Sequence, residues 1–276
     1  MSLKNYILRI LTLLIFIGIY SHQSFAQTKS QNVFRNAVNE EYLGFKLNYG
    51  FRSLSRQACL IDVGIDSANN EFGTYIFDQY RLKEISNMKG ISLGVEYGTR
   101  NIFIEGQFDY MARNKTESTG LNAFFGYNFT FMEGRAIAFR PALGVSYNWV
   151  TTALGSYPSA DKYHNSIDLK QSNALAGITP RMQLELPIIK IKEDAVIFIR
   201  GEVGYQFFTY TSRFIKLKAQ RNYANSKGNY KYDSDRFYLD GEHSGYQING
   251  QHLNKPPTSI GGLYYSIELA IKIINF

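Results

Sequence analysis

Residues 42–52 read Tyr-Leu-Gly-Phe-Lys-Leu-Asn-Tyr-Gly-Phe-Arg. In an extended chain successive side chains point to opposite faces, so Leu43, Phe45, Leu47, Tyr49 and Phe51 share one face and Gly44, Lys46, Asn48, Gly50 and Arg52 the other. One face suits lipid and the other suits water. The same period of two returns along the chain, and eight strands are predicted at about 42–52, 90–98, 101–112, 121–132, 136–150, 174–188, 195–211 and 260–274. In the third, Ile102, Ile104, Phe108 and Tyr110 alternate with Phe103, Glu105, Gln107 and Asp109. In the fourth, Leu121, Ala123, Phe125, Tyr127, Phe129 and Phe131 oppose Asn122, Gly126, Asn128 and Thr130.

The links between these segments run long (53–89), tight (99–100), short (113–120), tight (133–135), long (151–173), short (189–194) and very long (212–259). Short turns on one side and long loops on the other are the habit of an up-and-down barrel in an outer membrane. Tyr and Phe number 21 and 20, an excess that aromatic girdles at two membrane interfaces explain better than the packed faces of a soluble sandwich. The fold expected is therefore all-β: a transmembrane up-and-down antiparallel β-barrel of about eight strands, with ten if the runs 58–63 and 74–77 in the first loop join the wall rather than forming a protruding hairpin. Pro141 and Pro180 fall inside strands five and six, where a proline cannot donate to the ladder, and a bulge is expected at each.

The first residues add a compartment. Lys4 and Arg9 precede the apolar run Ile10–Tyr20 and then Ser24-Phe25-Ala26, a small-x-small pattern, so residues 1–26 are expected to be a cleaved signal peptide. The apolar run is short of the ~20 residues of a spanning helix, which argues against a membrane anchor. Residues 27–41 form a polar, aperiodic tail expected in the periplasm, and 42–276 the barrel. Cleavage would lower the formal net charge from +7 to +5, and the one cysteine, Cys59, precludes an internal disulfide.

The polar parity of the strands carries Lys46, Arg52, Arg140, Arg181, Arg200 and Lys272 together with Glu96, Glu105, Asp109, Glu185, Glu202 and Glu268. Six charges of each sign all fall opposite the aliphatic face, and slipping any strand by one residue would send them into lipid. An eight-stranded barrel has room only for its own side chains, so the expectation is a charge-paired plug rather than a channel; a small porin or gated path is the alternative.

The last loop, 212–259, holds eight basic and four acidic residues. Its Arg213, Lys216, Lys218, Arg221, Lys227 and Lys231 interleave with Tyr223, Tyr230 and Tyr232, which suits lipopolysaccharide phosphates or an acidic glycan. The plainer alternative is that this stretch extends two strands as a hairpin with a solvated basic face. Basic and aromatic interleaving also suits single-stranded nucleic acid, a partner not expected for an exported barrel. No metal spacing, phosphate-cradling loop or dinucleotide fingerprint is present, and no cofactor is expected. A Ser-His-Asp set can be written from Ser166, His164 and Asp168, yet adjacency in a loop is no evidence of geometry, and the protein is expected not to be an enzyme.

With the processing region Ser24-Phe25-Ala26-Gln27, the strand alternation and the closing segment Leu263–Phe276, the chain resembles the small outer-membrane β-barrels of Gram-negative bacteria, OmpX-like, OmpA-like or the PorT-like barrels of Bacteroidota. The resemblance implies insertion by the barrel-assembly machinery, which reads a terminal aromatic. One departure is that Ile274 and Phe276 are out of phase with Leu269, Ile271 and Ile273, so either a bulge resets the phase or the terminal residue is interfacial. The function expected is surface binding, adhesion or envelope integrity through external loops, with periplasmic termini; the alternative is an accessory barrel of a secretion system.

Overall fold

The computed structural model describes residues 41–274 except 53–54, 57, 66–71, 73, 86, 100, 132–136, 161, 193, 225–229, 239–243, 249–250, 254–257 and 260. The expected signal peptide, the tail up to residue 40, and Phe276 lie outside the described residues. Eight long strands form the wall: β1 (Tyr42–Arg52), β2 (Met88–Gly98), β3 (Ile102–Arg113), β4 (Thr116–Tyr127), β5 (Ile137–Pro158), β6 (His164–Lys192), β7 (Ala195–Ala224) and β8 (Gly261–Ile274). Each pairs antiparallel with its chain neighbour, and β8 pairs with β1 from Tyr42↔Ile274 to Arg52↔Tyr264, so the sheet closes on itself with no free edge through the belt. Closure pairs the backbone of each strand on both sides, the condition for a sheet to sit in hydrocarbon. The fold is a transmembrane up-and-down β-barrel of eight strands.

Alternation sets the two surfaces. Phe45, Leu47, Leu93, Val95, Leu143, Val145, Ile267 and Leu269 are exposed on the outside, while their neighbours Lys46, Ser92, Glu96, Ser146 and Glu268 are buried inside. Tyr49, Tyr110, Tyr147, Trp149, Tyr205 and Tyr265 face outward towards one end of the belt, and Tyr97, Tyr127, Phe129 and Phe131 towards the other. Two aromatic girdles thus frame the apolar band.

Ten strands are not formed. Cys59–Ile65 and Ile76–Leu82 pair with each other and, through Ser244–Ile248, with Gln251–Leu253 in a separate sheet beside the wall. Two loops assigned from sequence are largely strand. β5 and β6 run through 151–173 to a short connection, and β7 continues to Ala224 and pairs with Tyr230–Tyr238. The connection expected at 113–120 is a two-residue turn, Asn114-Lys115, with φ of 48° and 62°. Both residues sit in the left-handed region, which a lysine occupies at a cost of ~1–2 kcal/mol and a glycine freely. Lys115→Gly is therefore expected to raise stability by about 0.5–1 kcal/mol, measurable as a later midpoint in urea unfolding.

No bulge forms at either proline. The β5–β6 register is unbroken from Lys170 to Glu185, with Pro180 opposite Leu143 and Pro141 opposite Met182. The ladder skips the missing N–H instead. Opposite Pro141, β4 stops at Tyr127 and the strand resumes as Phe129–Phe131 in the same register, Gly126↔Ala142 before the gap and Phe129↔Phe139 after it. On the other side of this gap the β3–β4 ladder continues, the Asn128 backbone N–H donating to the Asn101 carbonyl at 2.7 Å. The terminal phase shift also needs no bulge, because Ile274 faces inward and packs with Val196, Phe198 and Ala270 at the end of the lumen.

Above the girdle the wall turns inside out. On β6 the inward positions change from Arg181, Gln183 and Glu185 to Ile167 and Leu169. On β7 the register shift that pairs Ala174 with Ser212 but Leu175 with Tyr210 exchanges the faces, so Arg200, Glu202 and Gln206 give way to Ile215, Leu217 and Ala219. Within lipid the outside must be apolar; beyond it the outside meets water, and the apolar side chains move in. They pack on Cys59, Ile61, Val63, Ile65, Phe72, Ile76 and Leu82 of the 59–82 hairpin region, giving the projecting head a core of its own.

Candidate functional site

Two places concentrate polar chemistry: the lumen and the projecting head. All twelve charged residues singled out in the sequence line the lumen, and every one is buried. Arg200 is the hub. Its Nε meets Glu185 Oε2 at 2.6 Å, its Nη1 reaches Glu96 Oε2 at 3.0 Å, and it also pairs with Glu268. Arg140 holds Glu96 at 2.6 Å and Glu185 at 3.2 Å, and Lys272 holds Glu185 at 2.6 Å. Further up, Arg181 grips Glu105 at 2.5 Å and Glu202 at 3.1 Å, Lys46 pairs with Glu105 and Glu268, and Arg52 meets Asp109 at 2.7 Å. The groups join across β1, β2, β3, β5, β6, β7 and β8, so the network ties most of the ring together through its centre.

The sequence reading missed the aromatic partners of this network. The Arg140 guanidinium lies 3.9 Å from the Phe103 ring centre, Arg181 lies 3.6 Å from Phe124, and the Lys272 ammonium lies 4.2 Å from Tyr42. Stacking on a ring desolvates a guanidinium with partial compensation. Space for these large side chains comes from glycines directly opposite: Gly98 for Tyr42, Gly126 for Phe103, Gly144 for Phe124 and Gly204 for Tyr264, where a Cβ would meet the ring at 2.3–2.4 Å. Gly94, opposite Lys46, likewise lets the lysine stem cross β2 to reach Glu105 on β3. Aromatics on an otherwise polar parity, each answered by a glycine, were the available signal.

Between the charged layer and the head lies a cavity of about 20 Å³, room for one or two waters. Asn48, Arg52, Asn122, Gln206, Tyr264 and Ser266 line it, and each has a buried polar atom without a protein partner. Donors and acceptors are mixed there, as a water requires.

In the head the expected basic residues divide. Arg221 is committed to Asp233, at 2.6 Å from Nε, and the same carboxylate contacts His164 Nε2 at 2.9 Å. Arg213 falls on the inward parity, opposite Asn173, while Lys216 and Lys218 face outward. Lys227 lies outside the described residues, and of Tyr223, Tyr230 and Lys231 only the backbone is described. His164 also sets its ring edge-on to Phe72, and Asp168 accepts from Ser156 at 2.7 Å, so Ser166, His164 and Asp168 do not form a relay. No group of three or more metal-ligating side chains occurs among the described residues.

Hydrogen bonds from Arg221 and His164 hold the Asp233 carboxyl down to about 2. An unfolded aspartate titrates near ~3.9, so this tie between β7 and the 230–238 strand is complete above about pH 4 and is lost as the pH falls towards 2. Hydrogen-exchange protection of 230–238 is expected to drop over that interval while that of β8 persists. Asp233→Asn should show the lowered protection already at neutral pH.

An antiparallel barrel with an apolar, girdled exterior and a charged interior is the architecture of outer-membrane β-barrel proteins. No protein-family model and no curated protein matches the chain. Among solved structures it is similar to the β domain of the Bordetella autotransporter BrkA, at 10% identity over 85% of this chain and 99% of that one, with a TM-score of 0.30. It is similar too to the outer membrane protease OmpT of Escherichia coli (10% identity, 84% and 96% covered, TM-score 0.25). A third is the translocator domain of the autotransporter NalP from Neisseria meningitidis (10%, 99% and 99%, 0.28). At such identities and scores no activity is carried across.

Proposed function

We propose that the protein is a non-enzymatic outer-membrane barrel whose membrane part is a sealed anchor and whose projecting head binds at the cell surface, with the termini in the periplasm. The observation that carries this reading is the filled lumen. Balanced charges close on one another across its width, an apolar core sits above them, and a cavity of about 20 Å³ lies between. A conducting channel would require Arg200, Arg140 and Arg181 to part from their carboxylates in a low-dielectric interior, a separation worth several kcal/mol per ion. Single-channel recording on the protein in planar bilayers tests the reading. No steady conductance is expected; stable conductance steps of solute-permeable size would contradict it and favour a small transport channel.

A further inference from the structure

The outer surface of the head carries an arrangement that sequence proximity does not isolate. Lys170 on β6 stands directly opposite Lys216 on β7, and Lys216 directly opposite Arg236 on the adjoining 230–238 strand. Directly opposed residues in a sheet lie about 5 Å apart, so three cations form one row across three strands, with Lys218 two positions along. Like charges in such pairs destabilise a sheet unless something answers them. Among the described outward positions of these three strands the one carboxylate, Asp168, is opposite Lys218 and engaged by Ser156.

The aromatic surroundings are specific. Lys218 lies 4.1 Å from the Tyr232 ring centre and Arg236 5.2 Å from that of Phe214, giving flat apolar faces between positive groups. Burial, and then Arg236, Lys218 and Lys170, push the Lys216 ammonium down from its ordinary value, in keeping with an uncompensated cluster outside the membrane. Position supplies the rest. The row lies on the outward face, in line with the lipid-facing belt below it. Lys216 follows Phe207 by nine positions, one of them taken by the bulge, which at ~3.3 Å per residue and a ~40° tilt puts it about 20 Å beyond the girdle. That is the level of sugars rather than of acyl chains.

We propose that the Lys170–Lys216–Arg236 row, with Lys218, binds the phosphate groups of a saccharide borne by a glycolipid of the same leaflet, such as the phosphorylated core of lipopolysaccharide. Phosphates bridge neighbouring cations that otherwise repel, sugar rings lie against Tyr232 and Phe214, and the lipid holds its saccharide upright along the wall. The inference rests on the surface-binding role proposed above and names its ligand class.

The test measures the affinity of the full-length protein in detergent micelles for purified lipopolysaccharide with a phosphorylated core. Phosphatase-treated lipopolysaccharide, lipid A alone and the lipid-free phosphorylated core serve as comparisons. Binding to the phosphorylated glycolipid is expected to be at least tenfold tighter than to any of the three, and to weaken with salt. The triple variant Lys170→Gln, Lys216→Gln, Arg236→Gln should lose at least tenfold. A variant of equal charge change elsewhere, Arg81→Gln, Lys115→Gln, Lys162→Gln, should lose less than threefold. Equal losses in both variants, or equal binding of the treated glycolipid, would overturn the phosphate site; equal binding of the lipid-free core would overturn the glycolipid as its source. Bilayer recordings on the same preparations separate this from failure of the sealed-anchor reading, since a site that fails on a non-conducting barrel leaves the anchor standing.

Discussion

Replacing Arg200 with methionine is expected to destabilise the barrel by about 3–5 kcal/mol, the cost of leaving buried carboxylates without their counter-charge. Arg200 answers three of them, Glu96, Glu185 and Glu268, and is itself almost wholly buried. Methionine keeps much of the bulk, so the loss measures charge rather than a cavity. Arg140 and Lys272 still hold Glu96 and Glu185, and Lys46 lies 3.3 Å from Glu268, so the ring should persist at reduced stability. Urea unfolding in lipid vesicles, followed through the single tryptophan, Trp149, reads the effect. Adding Glu268→Gln should recover part of it, since Glu268 is then left with Lys46 alone, at 3.3 Å; a double variant worse than the sum of the two single changes would contradict the pairing.

The second large effect lies on the opposite face. Leu269 sits in the middle of the belt, flanked by Leu47 on β1 and Ile199 on β7, and is exposed to the surroundings. Leu269→Arg should cost about 2–4 kcal/mol in a bilayer, the toll of a charge near the midplane. Gln220→Arg, on the outward parity of β7 above the point where the wall reverses, should shift stability by no more than about 0.5 kcal/mol. Equal costs at the two positions would mean that the reversal does not mark the edge of the lipid.

How much of this was legible in the sequence differs by level. β1 was readable to the residue, because Leu43 through Phe51 keep one period without interruption and a one-residue slip would bury the wrong face. The lumen parity was readable for the same reason, and charges opposite aliphatics identify the inward side. Pair identities were not: Lys46 reaches Glu105 two strands away by crossing Gly94, a route that depends on closure and on the space a glycine leaves. The ends of β5, β6 and β7 were missed because the polarity reverses at the membrane boundary. Ile167, Leu169, Ile215 and Leu217 alternate with charged or polar residues just as a lipid-facing strand does, and only the partner hairpin at 59–82 shows that they face inward. The basic loop reading failed in detail for a related cause. Sequence proximity grouped Arg213 and Arg221 with Lys216 and Lys218, whereas pairing across strands groups Lys216 with Lys170 and Arg236. Pro141 and Pro180 were overread, since a ladder can omit a bond at a proline and keep its register.

The central claim is a closed cylinder with lipid outside and paired charges within. It is tested most directly by placing single cysteines from 263 to 271 along β8 in a Cys59→Ala background, labelling each with a fluorophore, and measuring quenching by lipid-attached quenchers in vesicles. Strong quenching at 263, 265, 267, 269 and 271, with little at the positions between, is the predicted result. Uniform quenching, quenching in the opposite phase, or recovery of the unlabelled protein as a soluble species without detergent would contradict it.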